Sequence, residues 1–177
     1  MQVNLLPGDV FCTSGNMLVV SALIRLAERI TSKDDAAHYG HSGIISSVLS
    51  ETIDTGWTVR NGSLHEFTGS PMLIARPTHR MGTSEPIDMA TKRAALTAIS
   101  ATDLGRWYPV WRLPMHLVPP LAKYLGTGNN LVCSERTAKY LQMIGARPWP
   151  YTGVNPDTLA DEWSTWRNFD IIFEGIW

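Results

Sequence analysis

The chain has 177 residues, of which 44% are hydrophobic and 18% are charged, which is typical of one folded domain spanning residues 1–177. The net charge of −1 argues against nucleic acid or an anionic membrane surface as a partner, since either would require a basic face. Two cysteines cannot form a disulfide framework, and we therefore expect a reducing compartment.

The first residues lack the basic and apolar regions of a secretory signal. The longest apolar-rich run, Met17 to Ile30, contains charged residues and is too short to cross a bilayer. We therefore expect no integral membrane segment, and synthesis in the cytoplasm without a signal peptide.

The first predicted elements are a strand and a helix. A turn at Pro7-Gly8-Asp9 precedes a short predicted strand, Val10 to Cys12. Apolar residues at helical spacing predict a helix over residues 15–30. Ser14 is its expected N-cap, because a serine side chain can accept a hydrogen bond from a first-turn amide.

Short strands are predicted between His41 and Arg76. Asn61-Gly62 is the strongest two-residue hairpin signal in this region, because both residues tolerate the positive φ of a type I′ turn. Met72 to Ala75 forms an apolar run closed by Pro77, as expected for a buried strand.

Helices return in the second half of the chain. One is predicted over residues 86–101, with Pro86 at its start. Residues 105–128 are rich in proline and glycine and are expected to be irregular. Another helix is predicted from about Val132 to Ile144, with Gly145 just beyond its end. Strands grouped between helices predict an α+β fold rather than alternating βαβ units.

Cys133 lies in the first turn of that last helix. Unpaired amides and the helix dipole favour a thiolate at this position, so Cys133 is a candidate nucleophile. The structural alternative is a small buried side chain, because free cysteines are among the most buried residue types.

His41 is the candidate base. If His41 and the residues after it form a hairpin with residues 45–47 as the loop, His41 faces Glu51, which could orient the imidazole. A shorter loop would place Thr52 opposite His41 instead, and Asp54 is less well placed. The structural alternative is an ordinary histidine and a solvated glutamate.

No metal site or cofactor is expected. His38 and His41 have helical spacing, but Gly40 and the strand-like residues after it argue against a helix there. Two aromatic, proline-containing segments, residues 106–111 and 148–151, are candidates both for the core and for the lining of a groove.

Four segments in this order resemble the circularly permuted, papain-like branch of the NlpC-type cysteine peptidases, the YiiX-like group: Pro7-Gly8-Asp9-Val10, His41-Ser42-Gly43-Ile44, Gly105-Arg-Trp-Tyr108 and Val132-Cys133-Ser134-Glu135. The resemblance implies an antiparallel sheet packed against helices. It also implies Cys133 as nucleophile, His41 as general base, Glu51 as third member and Tyr108 as an oxyanion donor. The sequence departs from this family at Ser42, where a larger apolar residue is usual.

The leading hypothesis is therefore a cysteine hydrolase that cleaves an amide bond in a peptidoglycan stem peptide or another short peptide. An acyltransferase, or a hydrolase of lipids or thioesters, is the alternative within enzymes, because related folds carry both chemistries. A non-catalytic phage, virion or interaction protein that keeps the scaffold is the alternative from another class.

Overall fold

The computed structural model describes residues 3–14, 38–107 and 131–177. These residues form a six-stranded antiparallel sheet with helices packed on it. The strands are β1 (Val10–Thr13), β2 (His41–Ile45), β3 (Glu51–Thr55), β4 (Val59–Ser63), β5 (Pro71–Pro77) and β6 (Phe169–Ile176). The described helices are α1 (Met89–Asp103), α2 (Cys133–Met143) and α3 (Pro156–Thr165), and a 3₁₀ turn spans Leu64–Phe67.

The strand order β4-β3-β2-β1-β5-β6 places β1 in the interior of the sheet. Side chains alternate between two apolar layers because successive residues of a strand point to opposite faces. The face that carries α1, α2 and α3, here called the helix face, includes Val10 and Ile44. The opposite face includes Phe11 and Ile45, and the 3₁₀ turn covers it through Leu64.

The α+β class with an antiparallel sheet is confirmed. The predicted strands at Val10 to Cys12 and Met72 to Ala75 are parts of β1 and β5. The helix predicted from about Val132 is also confirmed as α2, and Gly145 follows it with φ of 76°. This left-handed conformation favours glycine at a helix end.

The hairpin turn predicted at Asn61-Gly62 is wrong, because both residues lie inside β4. The chain reverses earlier, where the Gly56 amide donates to Thr58 O. The position of Gly62 has no room for a side chain, because a Cβ there would lie 2.5 Å from Asp54 Oδ2 on the neighbouring strand. The glycine is therefore needed for a close side-chain approach rather than for a turn.

Helix α1 begins later than predicted. Asp88 is its N-cap and accepts a hydrogen bond from the Thr91 amide, so the helix starts at Met89. Pro86 precedes it and pairs with His79 in an isolated bridge. The helix predicted over residues 15–30 and most of the segment predicted to be irregular lie outside the described residues. Within the described ranges, no helix is long and apolar enough to cross a membrane.

Candidate active site

Cys133 is the first residue of α2, and a buried carboxylate fixes this end of the helix. Val132 is the N-cap, and its apolar side chain cannot accept a hydrogen bond from the helix. Of the two hydrogen bonds of a capping box, only the one from the N-cap amide to the glutamate side chain forms. Glu135 accepts hydrogen bonds from the amides of Val132 (3.2 Å) and Gly153 (2.8 Å). Glu135 is completely buried. The helix start is therefore held against the loop that precedes α3.

The Cys133 side chain is also buried, with 4% of the residue exposed. Thr137 Oγ1 donates to Cys133 O at 3.2 Å and lies 3.3 Å from Ser42 Oγ. Because the Thr137 proton is used in the first bond, Ser42 is the donor in the second. Ser42 thus connects β2 to the first turn of α2.

The direction of α2 brings Cys133 to the beginning of β2. Thr137 contacts Ser42 near the start of this strand. Tyr140, almost one turn further along the helix, reaches the other end of β2, where its hydroxyl donates to Gly8 O at 3.1 Å. Going from Thr137 towards the N-terminus of α2 therefore leads to the end of the sheet where β2 begins. Cys133, the first residue of α2, lies at this end, and so does His41, the first residue of β2 and the candidate base.

His41 lies on the opposite face of the sheet, among aromatic rings. Its ring stacks on Phe67, with centroids 5.4 Å apart and an interplanar angle of 29°, and lies 6.1 Å from the Phe11 ring. Phe11 pairs with Gly43, where a Cβ would come within 2.6 Å of the Phe11 ring. Gly43 therefore makes room for one of the rings that hold His41.

The expected register of the β2–β3 hairpin is wrong. Ile44 lies opposite Ile53, which rules out the pairing of His41 with Glu51 and the alternative pairing with Thr52. The loop is longer than expected because β2 continues through residue 45 and β3 begins only at Glu51. Glu51 is exposed.

Asp54 is the acidic residue that the observed register brings towards the histidine. Extending the pairing of Ile44 with Ile53 to the start of β2 places Gly56 opposite His41. Asp54, two residues before Gly56, lies on the same face of the sheet as His41 and is its diagonal neighbour. Asp54 is 2% exposed and accepts hydrogen bonds from Thr52 Oγ1 (3.1 Å) and Arg60 Nε (3.2 Å). From the sequence alone, Asp54 is expected to be less well placed than Glu51.

Electrostatics act on His41 in opposing directions. Burial lowers the pKa of its imidazole, the Asp54 carboxylate raises it, and the guanidinium groups of Arg60 and Arg136 lower it further. The net effect is a lowered pKa. His41 is therefore held in the neutral form, which can accept a proton at neutral pH.

This shift predicts how stability depends on pH. Because the folded pKa of His41 lies below its ordinary value of 6.5, the unfolded chain binds the proton more readily, and the contribution of His41 to stability is lost as pH falls. We expect urea unfolding midpoints to decrease between about pH 7 and 5 in the wild type, and less in His41→Gln. His65→Gln, at an exposed histidine, is the matched control and should retain the wild-type pH dependence. If the urea midpoint depended on pH equally in all three proteins, the lowered pKa of His41 would be contradicted.

The remaining candidate, Tyr108, lies outside the described residues. The residue before it, Trp107, forms an isolated antiparallel bridge with Thr58 after β3. Trp57 in the same turn is 63% exposed and Trp107 is 77% exposed. The chain therefore presents two tryptophans at the end of the sheet where β2 begins.

The second cysteine occupies a different setting. Cys12 is completely buried on the helix face, and its Sγ donates to Pro156 O at 3.3 Å.

Among the described residues, no group of three or more His, Cys, Asp or Glu side chains is placed to hold a metal ion.

Neither a protein-family model nor a curated protein matches the sequence. The fold is similar to that of the metalloprotein YiiX from Escherichia coli O157:H7, known from a crystal structure. The TM-score is 0.61 over 97% of this chain and 98% of YiiX, with 12% sequence identity. The chain therefore has a YiiX-like fold. At this identity the similarity concerns the fold alone.

Proposed function

We propose that the protein is a cysteine hydrolase in which Cys133 is the nucleophile and His41 the general base. The observation that carries this proposal is that α2 and β2, each of which begins with one of these residues, start at the same end of the sheet. Because the His41 ring lies on the face opposite to α2, we propose that the imidazole reaches the thiol around the end of β2. Asp54, rather than Glu51, is proposed to orient the imidazole. Tyr108 keeps its proposed role as an oxyanion donor.

In the proposed reaction, the neutral His41 imidazole accepts the thiol proton and the Cys133 sulfur attacks a carbonyl carbon. Amides at the start of α2 and the Tyr108 hydroxyl face the developing oxyanion. The tetrahedral intermediate collapses as the carbon–nitrogen bond breaks, and the imidazolium gives its proton to the leaving amine. Water, deprotonated by the same imidazole, then attacks the thioester, which releases the carboxylate product and restores the thiol.

The proposed substrate is an amide bond in a short peptide, of which a peptidoglycan stem peptide is the leading candidate. This choice rests on the resemblance to the NlpC-type peptidases, because the YiiX-like fold alone does not select a bond. YiiX is described as a metalloprotein, whereas the steps proposed here use the thiol, imidazole, carboxylate, hydroxyl and backbone amide groups of this chain.

The thiol reactivity of Cys133 tests the proposal. Iodoacetamide should alkylate Cys133 at about pH 6–7 at least ~10-fold faster in the wild type than in His41→Ala, because the imidazole promotes thiolate formation. Mass spectrometry would assign the label, and Cys12 in the same molecule reports any general opening of the fold. Amide, ester and thioester substrates would be assayed in parallel.

Slow alkylation of Cys133 that is unchanged by His41→Ala, with no turnover of any of the three substrate classes, would contradict the hydrolase and favour a non-catalytic scaffold. Turnover of esters or thioesters alone would retain the nucleophile and reject the peptidase assignment.

A further inference from the structure

A buried arginine lies one turn along α2 from Cys133. Arg136 is 3% exposed, and its guanidinium donates hydrogen bonds to three separate elements. Nη1 donates to Thr55 Oγ1 at 2.5 Å at the end of β3, and Nε donates to Asp103 Oδ2 at 3.2 Å at the end of α1. Nη2 donates to Leu131 O at 3.3 Å, two residues before the proposed nucleophile.

These bonds require the shape of a guanidinium. Arginine presents five N–H donors in a rigid plane, whereas a lysine ammonium is a single point that cannot reach three partners in fixed directions. A buried ion pair gives little net stability, because removing both charges from water offsets most of their attraction. The arrangement around Arg136 therefore calls for an explanation other than stability.

Arg136 and Lys139 share the Asp103 carboxylate. Asp103 is 3% exposed and also lies 3.5 Å from Lys139 Nζ, so two cations surround one carboxylate. Glu135, the other acidic group on the first turn of α2, accepts bonds from two backbone amides. Residues three apart on a helix are neighbours on its surface, so Arg136 and Cys133 lie on adjacent positions of the same turn.

We propose that Arg136 is a positioning residue for Cys133. It anchors the backbone at Leu131 to the ends of β3 and α1, and so fixes where the first turn of α2 presents the sulfur. It also places a positive charge beside that turn, which favours the thiolate. This inference rests on the proposed function, since it assigns a role within the same site.

The chain offers a matched control in Arg147. This arginine is 5% exposed, and its guanidinium binds Glu162 through two N–H groups (2.8 and 3.0 Å) and the carbonyls of Trp149 and Pro150. Both arginines are therefore buried and join an acidic side chain to backbone oxygen. Arg147 follows the far end of α2, away from Cys133.

The test compares Arg136→Lys, Arg147→Lys and the wild type in two measurements. One is the pH profile of Cys133 alkylation by iodoacetamide. The other is hydrogen exchange of the peptide that contains residues 131–141, which reports the anchoring of the helix start without reference to activity. Thr55→Val serves as a milder variant that removes one acceptor and leaves the guanidinium and its other two hydrogen bonds in place, should Arg136→Lys fold poorly.

Arg136→Lys keeps a positive charge but loses the three directed hydrogen bonds that fix this charge and the first turn of α2 relative to each other. We therefore expect it to slow Cys133 alkylation at pH 6–7 by about 10-fold, to shift its pH profile upwards and to speed exchange in this peptide. Thr55→Val should change both in the same direction by a smaller factor, and Arg147→Lys should leave both unchanged.

If Cys133 alkylation kept its wild-type pH profile in Arg136→Lys or in Thr55→Val, the positioning role would be overturned. The same holds if Arg147→Lys changed alkylation and hydrogen exchange as much as Arg136→Lys does. Failure of the hydrolase itself would appear differently, as a wild-type Cys133 that is already unreactive.

Discussion

Turnover is expected to disappear in both Cys133→Ala and His41→Ala, with each losing about 10⁴-fold or more in kcat. The first substitution removes the proposed nucleophile, and the second removes the proposed base, which would ionise the thiol and protonate the leaving group. Because the two side chains act as a unit, the double variant should be no worse than either single variant. Initial rates of amine release from short peptides and peptidoglycan fragments provide the measurement.

Stability measurements separate this loss from misfolding. Cys133→Ala removes a single sulfur atom from a buried position, so its free energy of unfolding should fall by only ~1 kcal/mol. Cys12→Ala makes the same change at the other buried cysteine, on the helix face of β1, and should retain activity. A Cys133→Ala protein that is folded and still active, or additive losses in the double variant, would refute the paired roles.

Asp54→Asn is expected to reduce activity by about 10²-fold, and Glu51→Gln by less than ~2-fold. The Asp54 carboxylate raises the pKa of His41, which burial otherwise lowers, so its neutralisation makes the imidazolium harder to form. The asparagine keeps the shape of the side chain and can still accept a hydrogen bond from Arg60. Glu51 is exposed, and its charge is screened by water.

Two measurements decide between these carboxylates. The kcat/KM of each variant gives the size of the loss. The pH dependence of Cys133 alkylation should change in Asp54→Asn and stay constant in Glu51→Gln. A larger loss in Glu51→Gln would return the third position of the triad to Glu51, and equal small losses would show that neither carboxylate orients His41.

The outcome at the β2–β3 hairpin shows where sequence reasoning is reliable and where it fails. The strands were predictable from their apolar residues, because a strand with one or both faces buried shows this in the hydrophobicity of a few neighbouring residues. Their register depends on the length of the loop, and here a left-handed Ser50, with φ of 65°, lies just before β3 and lengthens it. A change in loop length alters every pairing along the strands, so the predicted cross-strand pairing of His41 with Glu51 is wrong.

The start of α2 was predictable because its signals are local. A glutamate three residues after the N-cap indicates a helix start, and Gly145 just beyond the last turn indicates its end. The anchoring by Arg136 was not predictable, since Asp103 and Thr55 lie 33 and 81 residues away along the chain. No spacing in the sequence indicates which acidic residue a buried arginine will meet.

The C-terminal elements show a signal that was present but overlooked. Asn155 caps α3 by accepting a bond from the Thr158 amide, and Pro156 occupies the first turn. Asparagine followed by proline is a common helix beginning. Strand β6 is harder to recognise, because it lies at the sheet edge with most of its residues outside the core, and so lacks a buried pattern.

The interior position of β1 has a consequence for how the proposed site forms during folding. Its Cys12 sulfur bonds Pro156 O, 144 residues away, and the turn before it receives the Tyr140 hydroxyl from 132 residues away. Contacts of such sequence separation require large loops to close, so folding should be slow, on the order of milliseconds to seconds. The contact of α2 with β2, between Thr137 and Ser42, likewise joins residues 95 apart in the sequence. We therefore expect a nascent or partly folded chain to carry Cys133 as an ordinary thiol, with reactivity appearing only late in folding.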